Sequence, residues 1–472
     1  MQTLLGYLEP FLCGVFPWLV TALMAALLVM YLPRYVYEGY AGRYFLRTHR
    51  AEPGEEIRLL RFGKRPLRAV CWVLMMFLAS RALWLIALQI YISAKGWAPL
   101  SLANLPDYVN KWDAVNYTRI AQYWYGFEDH GIEGYIKEYT IAFLPGFPLM
   151  IKALEMLVGD YVLSGLILSN AMTIGSGIIL YAMVSDMYSE PAARRACFFF
   201  SFSAAAGVFS ATHSESAFFF LTLLAVYLAR KRRFIASVAV GAYAAFTRQF
   251  GMFVAVPVFY EMLRSLERYP TGTDMIQRER ADTGAVGAAP TLMERARHSV
   301  RFRRVWRYLL LAACVLVGYG AYMAINWAVY GTPTAFLFYQ QLNWDNHLAP
   351  VWDCVRIIAE QLSSSVAQGR TSSVMGIFVP ELVLALALPV LLACFVRRGD
   401  AGDNAYAWCY VALTFSSSWL ISGIRYLAAM YPLYIMLALL ASNKRLRYVL
   451  YAVTLIVFVY YNVMYSAHGY VV

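Results

Sequence analysis

Charge is scarce in this chain. Only 14% of its 472 residues are Asp, Glu, Lys or Arg, and 61% are hydrophobic. Soluble domains carry about 25% charged residues, so the shortage excludes an ordinary soluble fold. The apolar segments run from end to end and need one shared bundle. That overrides the roughly three soluble domains expected from length alone. Acids are scarcer than bases, 28 against 40, for a net charge of +12. Such an excess can mean nucleic-acid binding, but here the arginines fall between apolar segments. Positive-inside membrane topology is the simpler cause, and no nucleic-acid partner is expected. No two of the seven cysteines have metal-ligand spacing and six fall in apolar segments, so they read as small core residues rather than a disulfide framework or a zinc site. No acidic or histidine cluster demands a cation, so neither a metal nor an organic cofactor is expected. The first apolar run, Phe11 to Leu32, lacks a basic leader and is long enough to span. It reads as a membrane helix rather than a cleaved signal.

What is present is a set of apolar runs. A spanning helix needs about 20 mostly apolar residues. Clear candidates are 11–32, 69–92, 163–184, 308–330, 374–396 and 447–466. Shorter apolar pieces lie at 197–212, 215–229, 234–249, 250–263, 406–422 and 427–442, paired through tight polar tips. They read as hairpins that cross incompletely or pack tilted inside the bundle. The expected fold is thus one all-α polytopic membrane domain over 1–472, with about 12 transmembrane or partly spanning helices.

Basic residues assign the sides. The interval 33–68 holds nine and 264–307 holds ten. If these and the smaller clusters are cytoplasmic, the crossings alternate without conflict. The loop 264–307, with Gly and Ala in its middle, reads as flexible, and its arginines as a topology signal or a contact for anionic lipid. The intervals 93–162 and 331–373 then face outward. So do the tips at 213–216, 247–249 and 423–426. Asp113, Glu215, Arg248 and Arg425 thereby fall on one side. The run 144–159 is short and broken by Pro145 and Pro148, so it reads as an interfacial or re-entrant outer helix.

Within the first outer interval, KWDAVNYTRIAQYW (111–124) places Asp113 after Trp112 at the start of a helical stretch. One reading is a helix cap, with Trp112 an interface aromatic. The other is a polar cluster, because Asn116 and Tyr117 lie three and four residues on and share a face with Asp113. Glu215 either caps its own helix or orients His213 or an arginine. Arg248 and Arg425 either snorkel to the interface or meet a phosphate. Trp344-Asp345 and Trp352-Asp353 echo the Trp-Asp pair, as interface tryptophans or as part of an acceptor site.

Five motifs follow in order: Trp112-Asp113-Ala114 with Ile120-Ala121, Phe143 to Pro148, His213 to Ser216, Arg248 to Gly251, and Arg425-Tyr426-Leu427. In that order and spacing the chain resembles the PIG-V family of mannosyltransferases. The resemblance implies a GT-C-type membrane glycosyltransferase, its first outer loop (93–162) holding interfacial helices and the catalytic acid. It implies a polyprenyl or dolichyl phosphate mannose as donor, which is a substrate and not a cofactor. It implies a lipid-linked glycan acceptor and transfer with inversion. A single displacement needs one base to take the acceptor proton. A carboxylate partly desolvated at the membrane boundary is more basic than one in water. Asp113 is the candidate base. An arginine fork suits the leaving lipid phosphate. Arg248 and Arg425 are its candidates, with His213 third. Trp112, Asn116, Tyr117, Glu215 and Tyr426 complete the expected substrate-binding set. The expected location is the plasma membrane for a prokaryotic protein or the endoplasmic reticulum membrane for a eukaryotic one. The rival classes are a secondary transporter, disfavoured by the lack of an internal repeat, and a non-catalytic assembly subunit, disfavoured by the presence of Asp113.

Overall fold

The computed structural model describes residues 9, 11–41, 66–125, 140–268, 270, 272–283, 290–396 and 398–467. Among these residues the chain forms helices and loops and no β-strand. Six helices are long and apolar enough to cross a membrane: Phe11–Val29, Leu67–Ala94, Tyr161–Met187, Val300–Tyr330, Thr371–Phe395 and Lys444–Ser466. They coincide with the six long runs of the sequence. Large apolar side chains point outward from them, Leu78 at 63% and Ile90 at 66% exposure. In water such faces would be costly, whereas in a bilayer they are the lipid-facing surface. The molecule is an all-α membrane protein.

Fourteen of the helices are labelled in chain order. They are α1 (Phe16–Ala41), α2 (Pro66–Ala94), α3 (Ala114–Tyr123), α4 (Gly146–Val158), α5 (Tyr161–Met187), α6 (Glu190–Ser201), α7 (Ser214–Arg230), α8 (Phe234–Thr247), α9 (Ala255–Arg264), α10 (Val351–Ala367), α11 (Val379–Phe395), α12 (Ala401–Thr414), α13 (Gly423–Ala428) and α14 (Lys444–Ser466). Local chemistry sets several starts. Asp160 caps α5 by accepting from the Leu163 amide at 2.6 Å. Ser189 caps α6, and Asn443 caps α14. These short polar side chains satisfy amides that the first turn leaves open.

Two expectations are corrected. Helix α1 does not stop at Leu32 but continues to Ala41. The remainder of the basic loop, 42–65, and the Gly and Ala centre of the second basic loop, 284–289, lie outside the described residues. The second correction concerns 197–212, which is not one helical piece. Helix α6 ends at Ser201, and the chain runs irregularly to His213 before α7 begins. Irregular backbone at membrane depth must find partners inside the protein. Here the partners are side chains from distant helices. Arg81 Nε donates to Ser210 Oγ at 2.7 Å. Asn170 Nδ2 donates to the Ser210 carbonyl at 3.0 Å, and Thr173 Oγ1 to the Phe209 carbonyl at 2.8 Å. The Asn462 side chain accepts from the Gly207 amide and donates to the Ser203 carbonyl at 3.3 Å. Small residues allow these approaches. A Cβ on Gly207 would sit 3.0 Å from Tyr465.

The 144–159 run forms α4, 13 residues long and too short to span. It lies against α8, where Tyr243 Oη donates to the Gly146 carbonyl at 2.8 Å. Its Phe147 and Ile151 join Tyr117, Ile120 and Phe143 in a separate apolar cluster that carries α3.

Candidate active site

Asp113 precedes α3 on a strained turn. Trp112 adopts a φ of +57°, a region that bulky residues rarely enter. Outliers of this kind cost about 1–3 kcal/mol and persist only where the surroundings impose them. His213 is one source of that constraint. Its Nε2 lies 3.1 Å from both the Lys111 carbonyl and Tyr465 Oη, and Asn110 Oδ1 accepts from the Thr212 amide at 3.0 Å. Tyr465 Oη donates to the Val109 carbonyl at 3.0 Å. The segment before α3 is thus tied to the irregular stretch and to the end of α14.

Asp113 occupies the N-cap position of α3, yet its side chain makes no capping bond. The carboxylate turns instead to Arg425, with Oδ2 2.7 Å from Nη1. Arg425 Nε donates to Glu215 Oε1. Glu215 Oε1 also meets Arg248 Nη1 at 2.7 Å, and that nitrogen donates to Ser214 Oγ at 3.0 Å. Ser214 Oγ shares a 2.7 Å hydrogen bond with Tyr117 Oη. Four ionic side chains from four parts of the chain therefore form one alternating ladder. Its formal charges cancel, which is what permits burial of so many ions.

Exposure grades along the ladder. The side chain of Glu215 is 1% exposed, Arg425 5%, Arg248 9% and Asp113 31%. Asp113 is the ionic member open to an incoming molecule. It is partly exposed and ion-paired to Arg425. Tyr426 underlies both arginines, its ring centroid 5.4 Å from Arg248 Cζ and 5.7 Å from Arg425 Cζ. Burial pushes the Tyr117 phenol above its ordinary value, a rise the two arginines oppose. The phenol therefore stays neutral and hydrogen-bonds to Ser214. Arg248 Nε is buried with no hydrogen-bond partner. It is a charged donor whose hydrogen-bonding capacity is unspent.

Of the residues singled out in the sequence, the structure brings Asp113, Tyr117, Glu215, Arg248, Arg425 and Tyr426 together. Glu215 lies in the first turn of α7, and its carboxylate is committed to the two arginines, one of the two readings left open for it. His213 adjoins the ladder; its Nε2 meets Lys111 and Tyr465, and its Nδ1 is buried with no hydrogen-bond partner. Asn116 is half-buried on α3, and Trp112 packs on the main core. Trp344 stands edge-on to Phe143 at 6.1 Å, in the cluster that carries α3. Trp352 lies elsewhere, stacked on Trp18 at 5.0 Å, and Asp353 pairs with Arg356. Ser214 and Tyr465 were missed. Ser214 had a signal, being the neighbour of Glu215. Tyr465, among the aromatics of a spanning helix, had none. Among the described residues, no group of three or more His, Cys, Asp or Glu is placed to hold a metal ion.

An all-α bundle with a charge-paired acid opening at one end defines a polytopic membrane protein built around a polar site. The family model described as mannosyltransferase (PIG-V) matches residues 69–389, and the chain belongs to that family of membrane mannosyltransferases. No curated protein matches the chain.

Proposed function

We propose that this membrane mannosyltransferase takes mannose from a polyprenyl or dolichyl phosphate sugar. It transfers the sugar to a hydroxyl of a lipid-linked glycan at the outer or lumenal face, with inversion. The ladder carries the reading. Attack on the anomeric carbon requires a base for the hydroxyl proton, and Asp113 is the acid open to the acceptor. The bond to the lipid phosphate breaks as the new glycosidic bond forms, leaving a phosphate that needs fixed positive charge. Arg248 and Arg425 supply it, held over Tyr426 and oriented by Glu215. A guanidinium has five donors, so each arginine can keep its carboxylate and still meet an oxyanion. The reading assigns no metal ion and no organic cofactor, because the arginine pair already offers charge to the leaving group.

The test is transfer by purified full-length protein in lipid nanodiscs. It is supplied with a panel of lipid-phosphate sugars and a membrane glycolipid extract as acceptor. Mannose should move from the lipid phosphate and not from a nucleotide sugar, and EDTA should leave the rate unchanged. Transfer from the nucleotide sugar alone would refute the donor assignment.

A further inference from the structure

We propose that Glu381 is a positioning residue for the transfer site, a carboxyl clamp that seats Arg425. The inference rests on the reading of Arg425 as a phosphate-facing residue. Helix α13 carries Arg425 and Tyr426 and has only six residues. So short a helix cannot hold itself in place, and its leading amides have no partner within it. Ser422, in the capping position, makes no side-chain cap bond. The acceptor arrives from another helix. Glu381 stands in the first turn of α11, 1% exposed, and its Oε1 accepts from the Gly423 amide at 2.6 Å. That amide lies two residues before Arg425. The fit is close on both sides. A Cβ on Gly423 would fall 2.1 Å from Glu381 Oε2.

The arrangement is costly for mere packing. Glu381 Oε2 is buried with no hydrogen-bond partner. An apolar residue would serve the span without that penalty. What the carboxyl supplies is a fixed origin for α13. From it Arg425 reaches Asp113 on one side and Glu215 on the other. Glu381 touches none of these groups in the ladder, so it acts through the backbone of α13.

The experiment compares Glu381→Gln, Glu381→Leu, Gly423→Ala and Arg425→Lys in full-length protein in nanodiscs. Melting temperature, amide exchange across 423–428, and kcat and KM with a polyprenyl phosphate mannose are measured for each. Gln retains a carbonyl oxygen for the Gly423 amide, so exchange and kinetics should match the parent. Leu removes the acceptor. Exchange across 423–428 should rise, and kcat/KM should fall about tenfold or more, the order expected for a misplaced charged group. Gly423→Ala should act in the same direction with Glu381 intact, which keeps the test valid if the Leu variant fails to fold. The Leu change should add little to Arg425→Lys in the double variant. Raised exchange with unaltered kinetics would overturn the positioning role. Unaltered exchange in Glu381→Leu and Gly423→Ala would overturn the clamp. Normal turnover by Arg425→Lys would instead remove Arg425 from the proposed mechanism, independently of the exchange result.

Discussion

At the scale of single residues, the ladder explains why Glu215 is tolerated in an apolar interior. A lone buried carboxylate would be destabilising by several kcal/mol. Here it sits between two guanidiniums, one of them 2.7 Å away. Arg248 has the more instructive position. It reaches Glu215 and Ser214 through one nitrogen and keeps Nε unpartnered. Lysine at 248 would preserve the charge and lose the fork. Hydrogen bonds to charged groups contribute about 1.5–3 kcal/mol, so Arg248→Lys should lower kcat/KM for the lipid-phosphate donor roughly 10- to 150-fold. Melting temperature should move little, since Glu215 retains Arg425. Kinetics with donor as the varied substrate would check this. A normal KM and kcat would remove Arg248 from the phosphate site.

At the scale of elements, the broken crossing between α6 and α7 is the feature that most shapes the site. It converts a hairpin of apolar helices into a support for His213, Ser214 and Glu215. Asn462 on α14 is its main fastener, contacting Gly207, Ser203 and the Phe458 carbonyl at once. Replacing it by Leu keeps the size but leaves the Gly207 amide unpaired, while the Ser203 carbonyl keeps the Ala206 amide at 3.2 Å. A buried group left unpaired costs about 1–3 kcal/mol. A thermal-melt series should show Asn462→Leu markedly destabilised, with Asn462→Gln intermediate. An unchanged melting temperature would mean that water, and not Asn462, satisfies the stretch. This element also shows where sequence reading stops. The six long spans were legible because an apolar run of sufficient length has few alternatives in a bilayer. The stretch 202–213 was legible only as small and apolar. What makes it irregular is a set of partners up to 259 residues away in the chain.

For the molecule as a whole, the charge pattern assigned Asp113, Glu215, Arg248 and Arg425 to one side of the membrane, and the structure brings the four side chains into contact. The charge pattern could not show that they pair in the order Asp113, Arg425, Glu215, Arg248, because pairing depends on how α3, α7, α8 and α13 pack. Glu381 escaped notice for the opposite reason, being one acid inside a spanning run with no polar neighbour to mark it. The cap reading of Asp113 was reasonable from position alone, since the residue does stand at the N-cap of α3. The structure turns its side chain away from that duty. The function of the fold then depends on what this one carboxylate does. The decisive measurement is Asp113→Asn, with thermal stability and mannose transfer read on the same preparation. Asn keeps an oxygen for Arg425, which retains the Glu215 carboxylate, and no capping bond is lost, so the protein should stay folded with a loss of about 1–3 kcal/mol. Removing a general base should reduce turnover about 10²- to 10⁴-fold. A folded Asp113→Asn protein that transfers mannose at the parental rate would contradict the account and leave the ladder as a structural ion-pair network.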